Sequence, residues 1–262
     1  MRVKEEIEIL YKNTHLYLDK NFKQKFQKEF SSRLWEMYLI HTLLEQGFKI
    51  KKQKTDRGPD IKILLDNGKI LWIEAVVANR GKGVNHVKEI PLGPSCGHID
   101  DCDFPKILRL TNSISYKYRK YFTKSSDDYV SNSNIEDDDL YMIAICPEFE
   151  DFDERCILNT LFSIGKAIYT KDMESPFYEK REVVPKSKDL LIDVGIFESN
   201  KFPRLNGVIY SNSRTIDVLH NGITEESLYL GFNPKSSIVL KDYFNFGFHM
   251  YKDKTVKIRK IL

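Results

Sequence analysis

An Asn-Gly dipeptide at positions 67 and 68 constrains the fold of this chain more than any other feature. It separates two apolar segments, IKILL (61–65) and ILWIEAVVA (70–78). Asn-Gly between two such segments is the strongest short-range signal for a β-hairpin. With a two-residue turn, Asp66 lies opposite Lys69. We therefore expect Asp60 and Glu74 at the same level of two adjacent strands, one step from direct opposition.

The direction of the Asp60 side chain is open at this point. Under strict alternation Asp60 points to the face opposite Glu74. Asp60 follows Gly58-Pro59, however, and proline has no N–H for the strand ladder, so an irregular start of the strand would let the two carboxylates converge. The alternative is a loop aspartate that caps the start of the strand.

Glu74 stands inside an apolar run, flanked by Trp72-Ile73 and Ala75-Val76. This composition is typical of an interior strand, where an unpaired ionised carboxylate costs several kcal/mol. Acidic side chains are almost never fully buried without a partner. Glu74 therefore requires a cation or a proton.

A third carboxylate, Glu36, is predicted to face the core from a helix over about 33–46. Its own side of that helix carries Leu39, Ile40 and Leu43, at helical spacing. A surface glutamate near the helix N-terminus, favoured by the helix dipole, is the alternative. Three inward carboxylates indicate a shared hard cation, and oxygen ligands suit Mg²⁺ or Mn²⁺.

The order of elements along the chain predicts an α/β fold with a central mixed β-sheet flanked by helices. A charged helical segment (1–30) precedes the helix at 33–46, for which Ser31-Ser32 offers an N-cap and Gly47 a C-terminal stop. A short strand near 48–52, the hairpin, a helix over about 106–122 and a buried strand at 140–147 follow. Since no repeat or Pro/Gly-rich linker divides the chain, we expect one domain over 1–262.

Composition points to a cytoplasmic protein without membrane segments. The 262 residues carry a net charge of +3, with 41% hydrophobic and 30% charged residues, so contact with a polyanion requires a local basic patch. The N-terminus, MRVKEEIEIL, is charged from its second residue, unlike a secretory signal. No apolar run approaches the about 18 residues of a membrane helix. Four cysteines in a chain of this length are read as reduced thiols.

A helix with a glutamate, a strand, GPD, a hairpin and IEA together resemble the core of the PD-(D/E)xK nuclease superfamily, over about residues 31–122. The resemblance implies a restriction-endonuclease-like core, here about 31–146, with 147–262 as a C-terminal α/β elaboration. It also implies that Asp60 and Glu74 bind catalytic Mg²⁺ or Mn²⁺, that the Ala75 carbonyl joins them, and that Glu36 assists catalysis.

The chain departs from this family at position 76, where Val76 replaces the lysine of the ExK motif. The helix at 106–122 offers Lys117 as a substitute. It lies on the flank of a predicted apolar stripe and would hold an ammonium against the sheet, whereas Arg109, Tyr116 and Lys120 are expected to point farther away. Lys62 is the rival lysine, and a lysine that snorkels to solvent explains position 117 equally well.

Two further motifs carry polar side chains that suit ligands. NRGKG (79–83) follows the IEAVVA strand, and Arg80 and Lys82 would grip a phosphate there; a plain basic surface loop is the equal alternative. CGHIDDC (96–102) lacks the matched pairs of a zinc site, so we set zinc aside.

These motifs predict a Mg²⁺-dependent nuclease. The resemblance favours DNA over RNA as the nucleic-acid partner, allows a homodimer, and suggests a role in restriction or defence. The alternative is a catalytically inactive module with the nuclease fold that binds nucleic acid or a protein partner.

Overall fold

The computed structural model describes residues 2–52, 58–89, 103–123, 134–149, 154–168, 177–221, 227–236, 240–252 and 256–260. The helices are α1 (Arg2–Thr14), α2 (Phe22–Phe26), α3 (Phe30–Glu45), α4 (Asp103–Phe122), α5 (Arg155–Phe162) and α6 (Thr215–Asn221). The strands are β1 (Lys49–Lys51), β2 (Ile61–Leu64), β3 (Ile70–Ala78), β4 (Leu140–Pro147), β5 (Ile164–Ile168), β6 (Phe177–Lys180), β7 (Val183–Ser187), β8 (Leu190–Asp193), β9 (Gly207–Ser211), β10 (Leu228–Phe232), β11 (Phe248–Lys252) and β12 (Val256–Lys260).

Within the described ranges, eight strands form one mixed sheet in the order β1-β2-β3-β4-β9-β10-β11-β12. The central pairs β3–β4 and β4–β9 are parallel, as is β10–β11, and the other pairs are antiparallel. Two separate hairpins, β5–β6 and β7–β8, lie outside this sheet. The predicted α/β class with a mixed sheet flanked by helices is confirmed.

Helices cover both faces of the sheet, and each face has its own apolar core. Alternate residues of the strands pack against α4 and α5 on one face and against α1, α2, α3 and α6 on the other. Every residue of β4 is buried, as expected for a central parallel strand covered on both faces. Strands β9 to β12 belong to the predicted elaboration and continue the same sheet as β1 to β4. None of the helices in the described ranges is long and apolar enough to cross a membrane.

The hairpin between β2 and β3 exists, but its predicted two-residue turn is wrong. The Leu65 N–H donates to the Lys69 carbonyl at 2.9 Å, and Ile61 pairs with Ile73. Gly68 has φ +82° while Asn67 has no positive φ, so a type I′ turn, which needs positive φ at both residues, is replaced by a three-residue loop. Continued by one residue, this register sets Asp60 directly across from Glu74.

The helices flanking the hairpin begin earlier than predicted. Helix α3 starts at Phe30 after Glu29, so Ser31 and Ser32 lie inside it and the predicted serine cap is wrong. Its end is as predicted, because Gly47 has φ +80° directly after the last turn. Helix α4 starts at Asp103, three residues before the predicted start at about Lys106, and ends at Phe122, as predicted. The CGHIDDC motif lies outside the described residues.

Candidate active site

Glu74 lies on the α4 face of β3 and is 1% exposed. Its Oε1 accepts hydrogen bonds from Lys117 Nζ at 2.6 Å and Lys120 Nζ at 3.2 Å. Its Oε2 accepts one from the Tyr121 hydroxyl at 2.7 Å. Lys117 is followed by the other two donors at three and four residues, so one side of a single helical turn presents all three groups to the carboxylate. The cation that Glu74 requires is thus supplied by α4.

The two lysines differ in exposure. The Lys117 side chain is 21% exposed and that of Lys120 is 39% exposed. Burial alone would lower the pKa of Lys117, but the carboxylates of Glu74 and Asp60 outweigh it and raise that pKa. The structure places Lys117 against the sheet, as predicted, whereas the expectation that Lys120 points away is wrong. The rival Lys62 has its ammonium 4.7 Å from the centre of the Trp72 ring.

Asp60 joins Glu74 from the neighbouring strand. Its Oδ2 accepts a hydrogen bond from the Ala75 N–H at 2.8 Å, and the register of β2 and β3 places Asp60 on the same face as Glu74 without an irregular strand start. Burial and the charge of Glu74 raise the pKa of Asp60 to about 7, although Lys117 and Lys120 oppose the shift. The Tyr121 hydroxyl also lies 3.0 Å from the Gly58 carbonyl, so α4 contacts the segment before Asp60 as well as Glu74.

Glu36 faces the core, as predicted, with 5% exposure. Its Oε2 accepts a hydrogen bond from Arg33 Nη1 at 3.0 Å, and the same guanidinium contacts Asp19 and Glu29, each at 2.8 Å. Burial and the charge of Asp60 raise the pKa of Glu36 to about 8, partly offset by Arg33. Arg33, three residues earlier on the same helix, was missed at the sequence level although this spacing is a recognised signal for an ion pair.

The three predicted carboxylates do not close into one cluster. Among the described residues, no group of three or more His, Cys, Asp or Glu side chains is placed to hold a metal ion. Asp60 and Glu74 remain as two carboxylates on neighbouring strands beside the Ala75 backbone. One or two carboxylates, completed by water and substrate phosphates, are a usual ligand set for Mg²⁺. The donor chemistry therefore fits Mg²⁺ or Mn²⁺.

The basic loop after β3 turns back on itself. The Val87 N–H donates to the Arg80 carbonyl at 2.9 Å, and Arg80 Nη1 donates to the Val87 carbonyl at 3.4 Å. Arg80 is half-buried, whereas Lys82 is exposed. Of the two predicted phosphate ligands, Lys82 has the more accessible charge.

Arg109 of α4 packs against this loop and contacts neither Glu74 nor Asp60 in the described residues, in line with the expectation that it points away from them. Its Nη2 donates to the Asn85 carbonyl at 3.0 Å. Gly81 has φ +73°, and a Cβ at that position would lie 1.7 Å from Arg109 Cζ. Glycine at position 81 therefore allows the guanidinium to pack directly on the loop backbone.

Comparisons with protein-family models, with curated proteins and with solved structures find no match to this chain. The function of the site is therefore inferred from its own geometry and chemistry.

Proposed function

We propose that this chain is a metal-dependent nuclease that hydrolyses phosphodiester bonds, in DNA rather than RNA. The observation that carries the proposal is the position of Lys117, whose ammonium lies 2.6 Å from Glu74 Oε1 beside Asp60. Two carboxylates and a lysine are thereby brought together although Val76 occupies the position of the motif lysine. This arrangement supports a restriction-endonuclease-like core over about 31–146, with 147–262 as its elaboration.

Asp60, Glu74 and the Ala75 carbonyl are the groups that would hold Mg²⁺ or Mn²⁺. When bound, such an ion activates water and neutralises charge at the phosphate. Burial and the charge of Glu74 raise the pKa of Asp60 to about 7, because like charges at close range are unfavourable, and a bound cation would relieve this repulsion.

The remaining groups would act through charge and orientation. Lys117 and Lys120 place two ammonium groups at Glu74, where they would stabilise the charge that develops on a phosphate. Burial and Glu74 raise the pKa of Tyr121, so its hydroxyl stays protonated and orients Glu74 as a donor. Glu36 would assist through its influence on Asp60, and Arg80 and Lys82 would bind flanking phosphates.

The biological setting follows from the same proposal. We propose nucleic acid as the partner, a role in restriction or defence, and a homodimer as the assembly to test first. The side chains of Cys146 and Cys156 are buried, and we propose the cytoplasm, where thiols are kept reduced.

A second candidate function is supported by a specific contact pattern. Both oxygens of Glu74 are engaged by α4 side chains, as in an architectural ion pair. In this candidate the chain keeps the nuclease fold without catalysis and binds nucleic acid or a protein partner.

Nicking of supercoiled plasmid by the purified protein distinguishes the two candidates. We expect cleavage with Mg²⁺ or Mn²⁺ and none with EDTA, and we expect Asp60→Asn to be inactive. Lys12→Ala on α1, which is exposed on the opposite face of the sheet, is the matched control and should cleave as the wild type does. Equal cleavage by Asp60→Asn, or none by the wild type with either metal, would reject the nuclease proposal.

A further inference from the structure

A second group of cationic side chains lies at the N-terminal end of α4, away from Glu74. Arg155, Lys166 and Arg181 line a cavity of about 10 Å³ between α4, α5 and the β5–β6 hairpin, together with the carboxylate of Asp103. Three cations against one carboxylate leave a net positive charge at neutral pH. The cavity therefore favours an anion.

A buried amide oxygen lines the same cavity. Asn159 is 1% exposed, and its Nδ2 donates to the Ile164 carbonyl at 2.8 Å, which fixes the orientation of the amide. No hydrogen-bond donor among the described residues reaches its Oδ1. A buried acceptor is costly without a donor, and a cavity of this size has room for one water molecule. Such a water would donate one hydrogen to Asn159 and the other to an anion at the cavity mouth.

The fold positions the cations at this cavity. The Arg181 guanidinium lies 4.9 Å from the centre of the Phe104 ring, and its backbone N–H donates to the Ser163 carbonyl at 2.8 Å. Arg155 Nη2 is 3.9 Å from Asp103 Oδ2. Arginine presents planar pairs of N–H donors that suit phosphate oxygens, so a phosphate group is the anion that matches these side chains.

We infer that this pocket binds a backbone phosphate of the DNA whose scissile bond lies at Glu74; the inference rests on the proposed function. Ile107 in the pocket wall and Lys117 are ten residues apart on α4, or about 15 Å at 1.5 Å per residue. That distance corresponds to about four to five base pairs of B-form DNA at 3.4 Å each. Asp103 of the pocket and Lys117 are both partly exposed and lie fourteen residues apart on α4, so the pocket and the Glu74 site lie on one side of the helix.

The test measures how the affinity for a DNA duplex depends on salt, in EDTA so that no cleavage occurs. Each phosphate contact contributes about 0.9 to the slope of log affinity against log salt. Arg181→Gln should lower the slope by that amount. The ratio of wild-type to variant affinity should therefore fall about threefold as salt rises from about 50 to about 200 mM. Arg181→Lys should keep the slope. Lys12→Gln on the opposite face removes the same charge and should leave the slope unchanged.

Lys166→Gln provides a second variant at an exposed position, should Arg181→Gln fail to fold, and it should lower the slope equally. Slopes equal to that of the wild type in both variants would overturn the inference. The proposed function is tested separately, by plasmid nicking. No duplex binding by the wild type at low salt would overturn it as well. Inorganic phosphate that raises the melting temperature of the wild type but not of Arg181→Gln, with unchanged DNA slopes, would assign the pocket to free phosphate and reject the inference.

Discussion

Glu36 and Glu74 are both buried glutamates, yet they obtain their partners in different ways. Glu36 on α3 is paired with Arg33, three residues earlier on the same helix. Glu74 on β3 is paired with Lys117 and Lys120, which are more than 40 residues away on α4, and a second carboxylate, Asp60, lies beside it. The first pair is local, whereas the second is assembled by the tertiary fold.

The difference indicates which carboxylate serves function. A pair at a spacing of three is local to its helix, and here burial and the charge of Asp60 raise the pKa of Glu36 to about 8 although Arg33 opposes the shift. The Glu74 assembly instead brings two carboxylates together with two ammonium groups, and burial and the charge of Glu74 raise the pKa of Asp60 to about 7. Clusters of shifted titratable groups concentrate at functional sites, and we propose that the chemistry belongs to Glu74 and its neighbours, where carboxylates and ammonium groups meet.

The largest expected effect is on catalysis. Lys117→Ala should lower the rate of plasmid cleavage by about 10²–10³-fold, the cost of removing one group that stabilises transition-state charge. Lys120→Ala removes the same type of group from the same oxygen at the longer distance of 3.2 Å, and its rate should fall less than about tenfold. A rate loss in Lys120→Ala that equals or exceeds that of Lys117→Ala would assign the role to Lys120.

A smaller effect is expected on stability, measured by urea unfolding in EDTA. Glu74→Gln leaves two ammonium groups with Asp60 in place of two carboxylates, and both side chains reach water, so we expect a loss of about 1–3 kcal/mol, below the about 3–5 kcal/mol of a fully buried pair. Glu36→Gln leaves Arg33 with Asp19 and Glu29, and the loss should stay below about 1 kcal/mol. A larger loss of stability in Glu36→Gln than in Glu74→Gln would show that the Glu36–Arg33 pair contributes more to stability.

The sequence predicted the local features of this site and missed part of its tertiary geometry. The apolar segments around Asn67-Gly68 were sufficient to predict the hairpin, and Gly47 predicted the end of α3. The register was wrong by one residue because the backbone angle of Asn67, which selects the loop length, is not evident from its identity. Lys120 was expected to point away from the site because helical spacing alone does not give the rotation of α4 about its axis relative to the sheet.

The third expected effect is a dependence of stability on pH in the absence of metal. The pKa of Asp60 is raised from 3.8 to about 7 and that of Glu36 from 4.5 to about 8. Between the unfolded and folded values the native state binds more protons than the unfolded state, so the free energy of unfolding should fall as pH rises from about 5 to about 8. Asp60→Asn should flatten this fall in urea unfolding series. A wild-type stability that rises over the same range would contradict both shifts.

Binding of Mn²⁺, followed by isothermal titration calorimetry at neutral pH, tests the contrast between the two glutamates most directly. The wild type and Glu36→Gln should bind the ion, because Glu36 is held by Arg33 and lies outside the ligand set. Asp60→Asn and Glu74→Gln should lose binding, since each removes one of two carboxylate ligands. Absence of binding by the wild type, or retention of full affinity by Glu74→Gln, would contradict the assignment of a metal-dependent site to Asp60 and Glu74.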